Sequence, residues 1–346
     1  METRDFFFEV PPEQIAQEPA ANRGDSRLMV LDRKTGRRTQ SFVRDIVDFL
    51  PPGTVVVINN TRVEKKRLEG RRARGGVVEV LLLDRQADGW RGILGGAGRF
   101  RRGIEVALPE DRTARLLAPE GRHWRLSITP EISPEYLRRH GSVPLPPYIK
   151  RRPNTSDEER YQTVYAEKPG SAAAPTAGLH FTEELLQRIR EKGCRIVSVT
   201  LHVGIDTFAP IRSESVEEHK MHGEYFEVPE ATAEAVNRAK MEGMPVLAVG
   251  TTSVRTLEAA AVPASKNDGK ASWRIQPGSD VTELYIYPGY EFKIVDWMFT
   301  NFHTPGSSLV VMVSAFAGWP NIRDSYAEAI ESGFRFFSYG DAMLIR

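Results

Sequence analysis

Cysteine is all but missing from this chain: Cys194 is the only one in 346 residues. No intramolecular disulfide can form and no multi-cysteine zinc cluster exists, which fits a reducing cytosol. Long apolar runs are missing too. The longest near the C-terminus, LVVMVSAF at 309–316, falls far short of the ~20 residues that cross a bilayer, so no membrane association is expected. The N-terminus, METRDFFFEVPPEQ, has acidic residues and prolines where a secretion signal has a basic start and an apolar run. A cytoplasmic protein is expected.

Neither Gly-x-Gly-x-x-Gly nor a Gly-Lys-Ser/Thr loop occurs, so a dinucleotide fingerprint and a P-loop are unsupported. HExxH is absent. His219 and His222 stand three apart beside Glu218 and Glu224, but no third ligand has helpful spacing, and no metal is expected. No tract repeats with a 20–50-residue period. Finally, neither sign of charge is in excess: 47 Lys and Arg face 46 Asp and Glu, for a net +1. That total argues against a globally basic nucleic-acid coat.

The length gives a prior of about two domains, and the charge shows where they divide. From 58 to 153 there are 21 basic against 11 acidic residues, a net of +10, which leaves −9 on the remainder. The basic segment also has its own pattern. VVEVLLLD (77–84), WRGIL (90–94), GIEVAL (103–108), ARLLA (114–118) and HWRLSIT (123–129) are short runs separated by Gly, Pro and charged turns, as antiparallel strands are.

Outside it, strands and helices alternate. TVVVI (54–58) reads as a buried strand. A helix over 182–193 is capped by Thr182 and stops at Gly193 before the strand RIVSVTLHV (195–203). A helix over 230–242 leads through Gly243 to PVLAVG and the helical VRTLEAAA. LYIY (284–287), helices near 308–317 and 321–332, and FRFFSYGDAMLI follow, while 262–280 has the composition of a mobile loop. The expected fold is mixed α/β: a larger layered or barrel-like α/β domain over 1–57 and 154–346, with a small antiparallel β-barrel inserted at 58–153.

Three stretches concentrate chemistry. AAPTAGLHFT (173–182) delivers Thr176, His180 and Thr182 just ahead of a helix N-terminus that suits an anionic group. His180 either transfers a proton or simply bonds a carbonyl. TLHVGIDTF (200–208) puts His202 at a strand end, where it either faces a cavity or is a satisfied core residue. GTTSVRTLE (250–258) leads from a strand through Thr251, Thr252 and Ser253 into a helix with Arg255; it is a phosphate- or carboxylate-binding turn, or a capped helix start with a structural Arg255. Asn301, Phe302 and His303, and the run 338–341, mix polar groups with aromatics as a flat heterocycle requires.

The basic clusters are Arg62, Lys65, Lys66, Arg67, Arg71, Arg72 and Arg74; Arg99, Arg101 and Arg102; and Lys150, Arg151 and Arg152. A charge run is usually a solvated face. Three runs in one basic segment of an otherwise acidic chain are what phosphate-backbone binding needs, with Trp90, Phe100 or Trp124 as stacking partners or core.

Taken in order, IAQEP (15–19), SRLMVLDR (26–33), NNTRV (59–63), VEVLLL (78–83), PLPPYIKR (144–151), ERYQTVYA (159–166), APTAGLHFT (174–182), VTLHVG (199–204), AVGTTSVRTLE (248–258), YIYPGY (285–290), TNFH (300–303), VSAFAG (313–318) and FRFFSYGDAMLI (334–345) resemble the S-adenosylmethionine:tRNA ribosyltransferase-isomerases of queuosine biosynthesis, over nearly the whole chain. The resemblance implies a two-domain fold and a reaction. S-adenosylmethionine (AdoMet) is consumed as a ribosyl donor rather than serving as a cofactor. Its ribosyl part is transferred to, and isomerised on, the 7-aminomethyl-7-deazaguanine of a tRNA, giving epoxyqueuosine and releasing adenine and methionine.

Such a reaction needs a base at the ribose 5′ carbon, an acid for departing adenine, and the amine in line with the 1′ carbon. The resemblance implies that these stretches line a site without assigning individual roles. His180 and His202 are the protonatable groups expected to move protons, with Asp341 as an orienting or proton-accepting carboxylate; Thr176, Thr251, Ser253 and Arg255 are expected to hold the methionine carboxylate or ribose hydroxyls, and Tyr287, Asn301 and His303 to frame a base. Arg62, Lys65, Lys66, Arg67, Lys150, Arg151 and Arg152 are the expected tRNA contacts, and a monomer is expected. Two departures stand out: Asp206 where the family usually has a glycine, and Gly306 where it commonly has a lysine. The alternatives are a tRNA-binding protein of the same fold without activity and an AdoMet-dependent RNA methyltransferase; the missing Gly-rich loop weighs against the latter.

Overall fold

The computed structural model describes the chain from Met1 to Arg346 except residues 97, 205, 206, 208, 268 and 269, and except the side chains of 265–271. By compactness the chain falls into two units. One comprises Met1–Arg62, Pro146–Arg151 and Gln162–Arg346; the other comprises Val63–Leu145 and Arg152–Tyr161. This division departs from the one drawn by charge in that 58–62 and 146–151 stay with the larger unit and 154–161 goes with the smaller.

The strands run in chain order as follows. β1 (Arg27–Leu31), β2 (Arg38–Phe42) and β3 (Val55–Asn59) come first, then the short β4 (Thr61–Val63). Six follow in the smaller unit: β5 (Arg67–Arg72), β6 (Val77–Gln86), β7 (Gly89–Gly96), β8 (Glu105–Leu108), β9 (Arg112–Glu120) and β10 (His123–Thr129). The larger unit resumes with β11 (Lys168–Ser171), β12 (Arg195–Leu201), β13 (Glu224–Val228), β14 (Val246–Val249), β15 (Ala261–Asn267), β16 (Lys270–Ile275), β17 (Gly278–Thr282), β18 (Trp297–Asn301) and β19 (Ala342–Ile345). The helices are α1 (Pro134–His140), α2 (Thr155–Arg160), α3 (Glu183–Glu191), α4 (Glu230–Glu242), α5 (Thr251–Ala259), α6 (Ser308–Ala317) and α7 (Trp319–Glu331).

Of the layer and barrel forms that alternating strands and helices allow, the larger unit adopts the layer. Its nine-stranded sheet has the order β17-β13-β12-β3-β14-β18-β19-β1-β2. The central β12, β3, β14 and β18 are mutually parallel, so their C-terminal ends share one edge. Both faces are buried, which is why TVVVI is a continuous apolar run rather than an alternating one. Val55 and Val57 pack into a core with residues of α4, α5, α6 and α7, whereas Val56 and Ile58 pack into a second core with Leu185, Leu186 and Ile189 of α3.

Helix ends follow their punctuation. The Thr182 hydroxyl accepts from the Leu185 amide at 3.0 Å and starts α3. Gly243 closes α4 in the left-handed conformation at φ 68°.

The smaller unit is a closed barrel, β10-β7-β6-β5-β8-β9, and so exposes no sheet edge. Leu68, Val78, Val80, Val106, Leu116 and Leu126 fill it, joined by Tyr136 and Leu137 of α1. Five of its strands match the short runs read above. The sixth, β5, lies inside a charged cluster: its inward positions are Leu68 and Gly70, and a Cβ on Gly70 would stand 2.5 Å from Val106 Cγ1. Of the two readings of Trp90, Phe100 and Trp124, RNA-stacking partners or core, the structure favours core, with all three partly buried against the barrel interior.

Two expectations are corrected. Of 262–280, expected as a mobile loop, residues 268 and 269 lie outside the described residues, and the rest carries the paired strands β15 and β16 and then β17; buried Ile275 exchanges backbone bonds of 2.8 and 3.0 Å with the Asn237 side chain. LYIY forms no strand; the pairing partner of β13 is β17, immediately before it.

Candidate active site

The shared C-terminal edge of the parallel strands is where open α/β sheets place ligands. Here the edge opens into a narrow cleft walled by Pro175, Thr176, Val203, Thr207, Gly250, Thr251, Thr252, Thr300, Asn301, His303 and their neighbours. A second narrow chamber shares Thr207, Thr251, Thr252 and Leu309 with it. This chamber is lined mainly by Met221, Leu284, Tyr285, Ile286 and Met312, with Glu224 and Arg255 at its polar side. One chamber is rich in hydroxyls and amide, and the other is largely apolar.

Asn301, the last residue of β18, anchors the polar chamber. Its carbonyl oxygen accepts from the Thr176 hydroxyl at 3.0 Å, and its amide nitrogen lies 3.0 Å from His180 Nε2. His180 therefore stands behind Asn301 rather than in the chamber wall. Burial, helped by the charges of Arg23 and Arg335, holds His180 down to about 3, so its ring is neutral at pH 7 and accepts from the amide. His303 is likewise held to about 3 by burial, with Nε2 2.7 Å from the Thr300 hydroxyl.

These two rings give a pH expectation. Each has an ordinary pKa of 6.5 once unfolded, so between that value and about 3 the unfolded chain takes up protons that the folded chain refuses. Stability is full above about pH 6.5 and falls as the pH drops, by about 2 kcal/mol per histidine at pH 5. Denaturant midpoints at pH 7, 6 and 5 should fall in that order; equal midpoints would contradict the assignment.

The α5 turn supplies the opposite wall. Gly250 adopts φ 87°, which only glycine takes without strain, and turns β14 into α5 so that Thr251 and Thr252 meet the cleft. Thr252 Oγ1 is buried without a protein partner. Sequence reasoning picked Thr251 and Ser253 from this run, but the Ser253 hydroxyl turns back to the Val249 carbonyl at 2.8 Å. Thr252, and not Ser253, lines the cleft beside Thr251.

Arg255 lines the apolar chamber, yet its guanidinium is committed. It meets Glu224 at 2.6 Å and donates to the His222 and Thr282 carbonyls at 3.0 Å. Burial lowers its pKa, with Glu224 opposing that shift. The other Glu224 oxygen accepts from the Gly204 amide and the Thr207 hydroxyl, both at 2.9 Å. Glu224 and Thr207 were both missed as site residues, because no local motif announces an ion pair 31 residues apart.

Other expected residues lie off the cleft wall. His202 Nδ1 is 2.7 Å from the Thr61 hydroxyl, and the ring stacks on Tyr225. Asp341 spends both oxygens on the Arg27 and Arg335 amides at 2.8 Å, and burial raises its pKa. Tyr287 is half-buried against Tyr285. Among the described residues, no three His, Cys, Asp or Glu side chains gather as a metal site, and no helix is long and apolar enough to cross a membrane. Asp206 lies outside the described residues.

Gly306 has a physical explanation. It sits at φ 62°, and a Cβ there would stand 2.5 Å from the exposed Phe7 ring, so a larger residue at this place requires that ring to move.

The expected tRNA contacts are mostly paired. Lys65 bonds Glu158 at 2.6 Å, buried Lys66 bonds Glu64 at 2.7 Å, and Arg67 meets Glu79 at 3.4 Å and the Leu145 carbonyl at 3.0 Å. Arg151 pairs with Glu18 at 2.5 Å, Arg152 meets Glu69 at 3.4 Å, and Arg62 donates to the Ala166 carbonyl. Lys150 is exposed, and its backbone amide donates to Gln17.

A layered α/β unit with a cleft at the ends of its parallel strands, in a chain that also carries a basic β-barrel, defines an α/β protein with an inserted barrel. More particularly, the chain belongs to the queuosine biosynthesis protein family, whose model matches residues 3–345. S-adenosylmethionine:tRNA ribosyltransferase-isomerases from Geobacter metallireducens and Clostridioides difficile are 47% and 46% identical to it, and that of Treponema denticola 44%, each alignment covering all of both chains. The crystal structure of an S-adenosylmethionine tRNA ribosyltransferase from Thermotoga maritima is similar at 33% identity and a TM-score of 0.55, covering 99% of this chain and 100% of that one.

Proposed function

We infer that this chain is an S-adenosylmethionine:tRNA ribosyltransferase-isomerase. The observation that carries the reading is end-to-end similarity, at 44–47% identity, to enzymes of that name. In the reaction the ribosyl carbons of AdoMet become joined to the aminomethyl nitrogen of the modified tRNA base. Their bonds to adenine and to sulfur break, the 5′ carbon gains a ring-closing carbon–carbon bond and the epoxide oxygen as it loses a proton and the sulfur, and adenine and methionine leave.

The cleft suits the donor. We assign the ribosyl group to the polar chamber, where Thr176, Thr251, Thr252 and Asn301 offer hydroxyl and amide partners. The methionine carboxylate belongs at the N-terminus of α5, whose free amides and partial positive charge favour an anion. The apolar chamber takes the thioether chain. His180 acts as a positioning residue for Asn301, since a neutral ring that accepts a hydrogen bond has no proton to spare at Nε2.

The test is incubation with AdoMet and tRNA bearing the aminomethyl precursor. Equal amounts of adenine and methionine should appear, in step with modified tRNA. Methylated tRNA with S-adenosylhomocysteine would indicate a methyltransferase instead, and tRNA binding without turnover would indicate the inactive binding protein.

A further inference from the structure

With the expected lysines and arginines largely engaged, the strongest free positive surface lies elsewhere on the barrel. The β5–β6 turn and the connection from β7 to β8 come together at one end of it: Arg71 pairs with Ala107 and Arg72 with Val106 across β5 and β8, while Val78 pairs with Gly96 across β6 and β7. Between them, residues 70–76 and 96–104 hold six arginines and no acidic residue.

Arg72 fastens the two segments. Its guanidinium donates to the Arg99 carbonyl at 3.3 Å and covers the Phe100 ring at 4.5 Å, which turns Phe100 inward. The other five, Arg71, Arg74, Arg99, Arg101 and Arg102, are exposed. Among the described residues none of the five has a carboxylate in ion-pair range, whereas Arg85, Arg91, Arg112, Arg125, Arg138 and Arg139 of the same unit all do. Around the five, Gly75, Gly76 and Gly103 have nothing within 4 Å of where a Cβ would stand, so no side chain screens the surface.

We propose that this arginine end of the barrel is the surface that grips the RNA phosphate backbone. Five unpaired guanidiniums on two joined turns match a run of phosphates, each of which a guanidinium can hold with two hydrogen bonds. No aromatic face is free beside them, so the grip is to backbone charge rather than to bases, and sequence is not read here. The proposal rests on the tRNA-modifying reading above. It transfers the RNA contact from Lys65, Lys66 and Arg67 to the far end of strand β5.

The experiment compares two charge-neutralised variants by the salt dependence of tRNA binding. One is R74Q/R99Q/R101Q/R102Q, all at exposed turn positions; the other is R62Q/K65Q/K150Q, from the residues named individually as expected tRNA contacts. Each phosphate that the protein no longer neutralises flattens the slope of log K against log salt by about 0.7–0.9. The arginine variant should lower the slope by about 3, weaken tRNA binding by at least about 100-fold at moderate salt and raise KM for tRNA. Its affinity for AdoMet, measured by calorimetry, should stay at the wild-type value and report that it is folded. The second variant should change the slope by less than about 1. The proposal is overturned if the arginine variant keeps the wild-type slope, or if the second variant loses more slope than the first. A wild-type protein that binds no tRNA would overturn the functional reading and the surface with it; one that turns over tRNA while the arginine variant keeps its slope overturns the surface alone.

Discussion

Glu224→Ala is expected to lower stability by about 3–5 kcal/mol, since it strips the partner from a buried guanidinium. Arg255 has little access to water that could replace Glu224: the two side chains are 4% and 7% exposed. The substitution also orphans the Gly204 amide and the Thr207 hydroxyl, which the second carboxylate oxygen holds. Thr207 belongs to the wall common to both chambers, so the loss of stability should bring a loss of AdoMet affinity.

The double variant E224L/R255M removes both charges and should recover part of the stability, because a buried pair replaced by apolar groups costs far less than one left half-made. Recovery should stay incomplete, as the carbonyls of His222 and Thr282 lose their donor. Denaturant unfolding of both variants checks this. A single variant as stable as wild type would show that the pair does not anchor the cleft.

The second large effect is on turnover. Asn301→Ala should lower kcat/KM by about 10²–10³, the size expected for removing one pre-positioned hydrogen-bonding group from a site. His180→Ala should lower it by about 10² through misplacement of Asn301 alone. His180→Gln retains an oxygen that can accept from the Asn301 amide and should restore most of that loss. The pH profile is the decisive reading. A histidine held to about 3 does not titrate between pH 5 and 8, so the limbs of the profile should stay in place in both His180 variants. A limb that vanishes with His180 would make it a proton-transfer group and refute its positioning role.

The sequence was most informative where local rules act alone. Thr182 and Gly193 bracket α3, Gly243 closes α4, and an unbroken valine run marks β3, because caps, left-handed turns and two-sided burial each leave a local trace. Strand β5 left none. In a small barrel its outward positions are free to be arginine, and its inward ones are a leucine and a glycine, so charge hid the alternation.

The same divide runs through the cleft. Thr176, Thr251, Asn301 and His303 were legible because each follows a strand or turn signal that places it at the sheet edge. Asp341 and Ser253 carry the right chemistry and yet are consumed by neighbouring backbone, an outcome decided by geometry over a few ångströms. Glu224 acts through a partner on another element, and only folding brings the two together. The net charge followed a similar course. A total of +1 concealed a basic insert, and within that insert many of the described cations are paired, whereas Arg71, Arg74, Arg99, Arg101 and Arg102 stand without a carboxylate at one end of the barrel.

The central claim, that AdoMet is consumed here as a ribosyl donor, is tested most directly by following two labels at once. With AdoMet labelled in the ribose carbons and, separately, in the methyl group, the ribose label should enter the tRNA and the methyl label should leave entirely in free methionine. Methyl label in the tRNA, or ribose label remaining in a nucleoside product, would contradict the account.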